Sequence, residues 1–133
     1  MTMKSAGLAR VWAWGRTLRG CDTAVWHLDR LAVAAECRGY RGLKLYQDQS
    51  SALSVPMLLF FVRGRRENVW MPATARAVPG GEWAYFDVSR DPWLWFAWCR
   101  DAVTAADQVA ALMDHLMFPD TFPDVREERR AQV

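Results

Sequence analysis

EWAYFDVSRDPWLWFAWC, residues 82–99, decides how this chain is read. It carries four of the eight tryptophans, Trp83, Trp93, Trp95 and Trp98, together with Tyr85, Phe86 and Phe96. Aromatic residues on both sides of the polar turn Ser89-Arg90-Asp91-Pro92 predict a β-hairpin. With those four residues as the loop, Val88 faces Trp93, Phe86 faces Trp95 and Ala84 faces Ala97. Trp83, Tyr85 and Asp87 then oppose Trp98, Phe96 and Leu94 on the other side. A slip of one residue exchanges the partners and still leaves both faces aromatic. One layer of helices covers only one face of a sheet. The second face therefore needs its own cover or is a binding surface. Four open aromatics at about 150 Å² each reach roughly 600 Å², the upper end for the largest apolar patch of a monomer.

Outward from the hairpin, the flanking sequence supplies the other strands. Leu43 to Gln47 reads as a short strand, followed by the polar turn Asp48-Gln49-Ser50-Ser51. MLLFFVR, residues 57–63, is a continuous apolar run that predicts a central strand. Gly64 to Asn68 make a hairpin loop with Arg65 and Arg66 at its tip. From Val69 to Val78 the alternation puts Val69, Met71, Ala73, Ala75 and Ala77 on one face, small enough for a helix to come close. Pro72 lacks an amide donor, so this strand is expected at an edge or bulged. Pro79-Gly80-Gly81 turns the chain into the hairpin.

Two helices bracket the strands. The first is predicted from Asp22 or Thr23, both good N-caps, to Arg38, with Gly39 in the C′ position. Its apolar face is Ala24, Leu28, Leu31, Ala32 and Ala35. Trp26, Val33 and Cys37 fall nearly opposite, so this helix is expected to be covered on two sides. The last helix is predicted from Thr104, where Thr104-Ala105-Ala106-Asp107 has the form of a capping box. Ala106, Val109, Ala110, Met113, Leu116 and Met117 form its single apolar face, and Pro119 ends it. The expected fold is α+β in two layers, an antiparallel meander of about five strands with an N-terminal and a C-terminal helix packed on one face.

The division is a basic arm over residues 1–20, one α+β domain over 21–118, and a mobile tail over 119–133. In the arm, Leu8, Val11, Trp14 and Leu18 share a helical arc of roughly 120°, while Val11-Trp12-Ala13-Trp14 reads equally as strand. The arm, with Trp12 and Trp14, is the only intramolecular cover the sequence offers for the second face of the sheet.

Composition fits a single globular domain of 133 residues with 52% hydrophobic and 13% aromatic residues. A net charge of +2 is too mild to argue for nucleic acid. Fifteen arginines against two lysines, a single asparagine and no isoleucine are what GC-rich codons produce. A high-GC bacterial source is expected, and the arginine excess is partly genomic. Three cysteines without metal-ligand spacing predict buried, reduced thiols. No signal peptide or membrane span is expected, which makes the protein cytoplasmic.

Catalytic chemistry finds little to work with. His27 and His115 are the only histidines, and neither has a carboxylate or nucleophile at a spacing that faces it. No metal or cofactor is expected. The glycines join strands instead of opening a helix, so they do not predict a phosphate cradle. Arg63, Arg65 and Arg66 beside aromatic strands could suit single-stranded nucleic acid, but the ring-bearing strands lack interleaved basic residues.

A leading helix, a strand meander, the GGEWAYFDV…DPWLWFAW hairpin and an alanine-rich final helix together resemble small α+β proteins of actinobacteria. The likeness spans roughly residues 23–117. It implies the fold and an adaptor or accessory role, and it carries no catalytic residue across. The expected function is a non-enzymatic interaction module, binding a protein partner or a second copy of itself. Its candidate surface is Trp12, Trp14, Trp26, Trp83, Tyr85, Trp93, Trp95, Arg65 and Arg66. The alternative is a carrier or small cyclase-like enzyme holding an apolar small molecule in an aromatic pocket, with Tyr85, Asp87 and Trp95 as first candidates.

Overall fold

The computed structural model describes residues 11–13, 20–46, 55–63 and 68–119. Residues 11–13 of the arm are helical. Predictions for the remainder of the arm, for Arg65 and Arg66 at their loop tip, for the turn over 48–51 and for the tail over 120–133 lie outside the described residues. The elements that follow the arm are α1 (Cys21–Glu36), β1 (Gly42–Leu45), β2 (Met57–Arg63), β3 (Asn68–Ala77), β4 (Trp83–Asp87), β5 (Leu94–Trp98) and α2 (Ala102–Met117). The five strands form one antiparallel sheet in sequential order, β1-β2-β3-β4-β5. Both helices lie on one face, so the chain is the expected two-layer α+β meander.

Period-2 alternation sorts the side chains. Leu58 and Phe60 of β2, and Val69, Met71, Ala73, Ala75 and Ala77 of β3, are buried on the helical side. The alanines let the helices approach closely, and they meet Ala24, Leu28, Leu31 and Ala35 of α1 and Ala105, Ala106, Val109, Leu112 and Met113 of α2. At the edge, Gly42 makes room for a buried side chain of the next strand. A Cβ built on it would lie 2.5 Å from Leu58 Cδ1 and 2.8 Å from Leu58 Cγ.

Tyrosines tie the layers together. Tyr85, wholly buried, donates its hydroxyl to the His27 carbonyl at 2.5 Å. Tyr40 donates to Asp114 Oδ1 at 2.6 Å, and Tyr46 donates to Asp29 Oδ1 at 3.2 Å. Burial and the neighbouring Asp114 raise the Tyr40 pKa to about 12. Arg38 and Asp107 pair across the two helices.

Five expectations are corrected. Pro72 sits in the middle strand, not at an edge. The Pro72 carbonyl accepts from Val88 N–H at 3.0 Å, just beyond the last β4 partner, Asp87. An extended residue directs its carbonyl and its nitrogen to the same side, so the missing donor falls where the β4 ladder has already stopped. The first strand runs from Gly42 to Leu45, not Leu43 to Gln47.

The helix starts also move. The α1 N-cap is Gly20, whose carbonyl accepts from Ala24 N–H, with no side-chain cap bond. Asp22 falls instead in the first turn, where its charge complements the helix dipole. The α2 N-cap is Asp101, not Thr104. Its carboxylate accepts from Thr104 N–H at 3.0 Å and from the Thr104 hydroxyl at 2.6 Å. Starting one turn earlier buries Ala102 and frees Asp107 to pair with Arg38.

The fourth correction concerns hairpin register. Phe86 pairs with Trp95 and Asp87 with Leu94, as expected, but Tyr85 pairs with Ala97 and Ala84 with Trp98. Phe96 is an extra residue in β5, a bulge between Tyr85 and Phe86. Phe96 and Ala97 both join the core, where the Phe96 ring stacks on Tyr85 at 5.9 Å. Trp98 is thereby turned to the same side as Trp95, and the two indoles meet edge to face at 5.6 Å.

Of the thiols, Cys99 is buried while Cys37 is exposed, against the expectation of burial, because Cys37 follows the outer side of α1. Burial pushes the Cys99 pKa up.

Candidate functional site

The sheet face turned away from the helices is built by the same alternation. Register sets its side chains in rows across the strands. One row is Leu43, Leu59 and Pro72, and another is Phe61 and Trp70. Leu45 and Met57 run toward Thr74, Phe86 and Trp95, and Arg76, Ala84 and Trp98 form the last row. Apart from Thr74 and Arg76, every one of these residues is apolar. Thr74 is fully buried, and its hydroxyl donates to the Pro56 carbonyl at 2.7 Å. Phe61 and Trp70 pack with centroids 4.2 Å apart.

Exposure on this face is large for its composition. Leu43 is 58% exposed, Trp70 52%, Leu45 45% and Trp98 36%. On rings of about 200 Å² each, Trp70 and Trp98 leave roughly 180 Å² open. Leu43 and Leu45 add a comparable amount, which brings the face to the scale of the largest patch on a typical monomer, about 300–600 Å².

At the hairpin end the face acquires a charge and a cleft. The Arg76 guanidinium lies 5.6 Å from the Phe86 ring and 5.8 Å from the Trp93 ring. Burial among these rings lowers its pKa. Arg76, Asp91, Pro92 and Trp93 line an open cleft of about 390 Å³. The Trp95 indole N–H is held out of water without an acceptor among the described residues, an arrangement that costs on the order of 1–3 kcal/mol.

A second cleft, of about 400 Å³, opens where α1 meets the β3–β4 turn and the end of β5. Trp26, His27, Arg30, Trp83, Cys99 and Arg100 are among its walls. Here His27 is sandwiched, with its ring centroid 5.0 Å from Trp26 and 5.7 Å from Trp83. Burial, and secondarily the Arg30 charge, lower the His27 pKa.

The residues singled out from sequence thus separate. Trp93 and Trp95 lie at the hairpin end of the open face, half-buried. Trp26 and Trp83 belong to the second cleft. Trp12 is 60% exposed on its short helical stretch, while Trp14, Arg65 and Arg66 lie outside the described residues. Tyr85 is in the core and contributes to no surface. Asp87 is likewise wholly buried, with one carboxylate oxygen accepting from the Ser89 amide and hydroxyl. Tyr85 and Asp87 lie on the helical side and Trp95 on the other, so these three do not converge on one pocket.

Sequence reasoning missed Leu43, Leu45, Met57, Leu59, Phe61, Trp70 and Trp98 as members of the open face. The alternation of β2 and β3 was sufficient to find Phe61 and Trp70, since they fall out of phase with the alanine column. No helix among the described residues is long and apolar enough to cross a membrane. No family model, curated protein or solved structure matches the chain.

Proposed function

We propose that this protein is a non-enzymatic interaction module whose open sheet face receives an apolar protein surface, a second copy of the chain being the simplest occupant. One observation carries the reading: a five-stranded sheet presents Leu43, Leu45, Trp70 and Trp98 to solvent on the side opposite its helices. Among the described residues that face carries two charged side chains, Arg76, already laid against aromatic rings, and Arg63, exposed at the far end of β2. Two such faces can therefore pack sheet on sheet with little charge repulsion, and a two-fold axis makes the contact self-complementary. The sheltered Trp95 N–H would gain an acceptor if the hairpin end adjusts on contact.

Sedimentation velocity across micromolar to submillimolar protein tests this. The expected result is a dimer that dissociates in the double variant Leu45→Asp, Trp70→Asp while its circular dichroism is retained. A wild-type chain that stays monomeric throughout that range overturns self-association, and an unchanged dimer in the double variant places the contact elsewhere.

A further inference from the structure

The cleft beside α1 is a different surface from the open face, and its chemistry is specific. Its walls are aromatic in series: Trp26, His27 and Trp83 follow one another at centroid spacings of 5.0 and 5.7 Å. Trp26, though 57% exposed, is held in place by His27 on one side and by the Arg30 guanidinium 4.9 Å from its ring. Arg100 is already committed, since it pairs with Glu82 at 3.0 Å and lies 5.2 Å from the Trp98 ring. Arg30 is not. No carboxylate pairs with it among the described residues, and Asp29 beside it is turned to Lys44 and Tyr46. Arg30 nonetheless acts on the cleft interior, where its charge opposes the upward shift of the Cys99 pKa.

Among the described residues the two guanidiniums of this cleft outnumber its one carboxylate by one, which leaves one positive charge in excess. The neutral form of His27 is favoured by burial, which leaves a flat, uncharged ring between two indoles. A volume of about 400 Å³ falls within the range of small-ligand sites, about 300–1,000 Å³. The planar guanidinium of Arg30 suits a carboxylate, which it can engage through two parallel N–H donors. We infer that this cleft binds a small aromatic monocarboxylate, its ring against Trp26 and Trp83 and its carboxylate on Arg30. No covalent step is involved, and the site is independent of the open face.

Calorimetric titration with 2-naphthoate and with 2-naphthylmethylammonium tests charge and shape together. Naphthoate is expected to bind and the ammonium to fail. Arg30→Gln is expected to weaken naphthoate by about tenfold or more, the scale of one charge-assisted bond. Trp26→Ala is expected to weaken it as well. Both side chains are on the outer side of α1, and unchanged circular dichroism confirms that the variants fold. Arg76→Gln, in the other cleft, is expected to leave naphthoate binding as it was. The Leu45→Asp, Trp70→Asp variant should also bind as wild type, which separates this site from self-association. No naphthoate binding up to about 10 mM, equal binding of the ammonium, or an Arg30→Gln protein that binds as wild type would each overturn the assignment.

Discussion

Leu58 and Leu59 are neighbours in one strand with opposite surroundings. Leu58 is wholly buried beneath the helices, against the space Gly42 leaves for it. Leu59, on the other side of the same strand, lies between Leu43 and Pro72, on the face turned away from α1 and α2. The contrast holds across the sheet. The covered face mixes large residues with a column of alanines, so that two helices can settle on it. The open face has its large residues at the surface and little to interlock with. Residues of one chemical type thus do two jobs, and the shape of the neighbouring residues, not hydrophobicity, distinguishes them. A face designed to be covered from within is graded in size, whereas the open one is coarse and flat.

Substitutions on the two sides test the contrast. Phe60→Ala on the covered face is expected to cost about 3–5 kcal/mol in urea unfolding, the range for truncating a fully buried aromatic. If it costs no more than the open-face change below, the two faces are equivalent and the contrast fails. Gly42→Ala should cost about 1–3 kcal/mol, because its methyl would displace buried Leu58. A neutral result would mean that Leu58 can shift within the covered face without loss. Asp101→Ala removes the cap of the covering helix α2 and is expected to cost about 1 kcal/mol. Its effect should appear in thermal unfolding without any change in association. Trp70→Ser should cost about 0.5–1.5 kcal/mol at concentrations where the chain is monomeric, the scale of its ring contact with Phe61. The same variant should abolish any rise of Tm with protein concentration, which is the signature of stability gained by association.

Much of this contrast was legible in the sequence, for a physical reason. In β3, Val69, Met71, Ala73, Ala75 and Ala77 alternate with Trp70, Pro72, Thr74 and Arg76, so a period of two separates the faces without ambiguity. In β5, Leu94 to Trp98 are all apolar, and nothing marks which residue points where. The extra residue at Phe96 left no trace there, and the predicted partners of Ala84 and Tyr85 were displaced by one. The start of α2 was ambiguous in another way. Asp101 and Thr104 are both competent caps one turn apart, and the choice rests on the Asp101 side chain closing on Thr104 in three dimensions. The Trp26 cleft drew on residues from α1, the β3–β4 turn and the end of β5. Trp26 was conspicuous as an apolar residue on the wrong side of its helix. That Arg30 pairs with no acid among the described residues could be known only once Asp29 was seen to bond elsewhere.

The bulge at Phe96 sets the parity of everything that follows it. Because side chains in a strand alternate, one additional residue inverts the assignment of all later positions. Pairing β5 with β4 without the bulge, at unchanged sequence, would return Trp98 to the side of the helices, where Ala97 now fits, and would rotate the backbone that delivers Cys99 and Asp101 to the start of α2. A change of one residue in the β4–β5 pairing therefore acts as a phase shift, felt at once by the exposed tryptophan row and by the helix that closes the core. Deletion of Phe96 should consequently keep the exposed row, since Ala97 stays opposite Tyr85 and Trp98 opposite Ala84, whereas an added residue would invert it unless a second bulge absorbs the change.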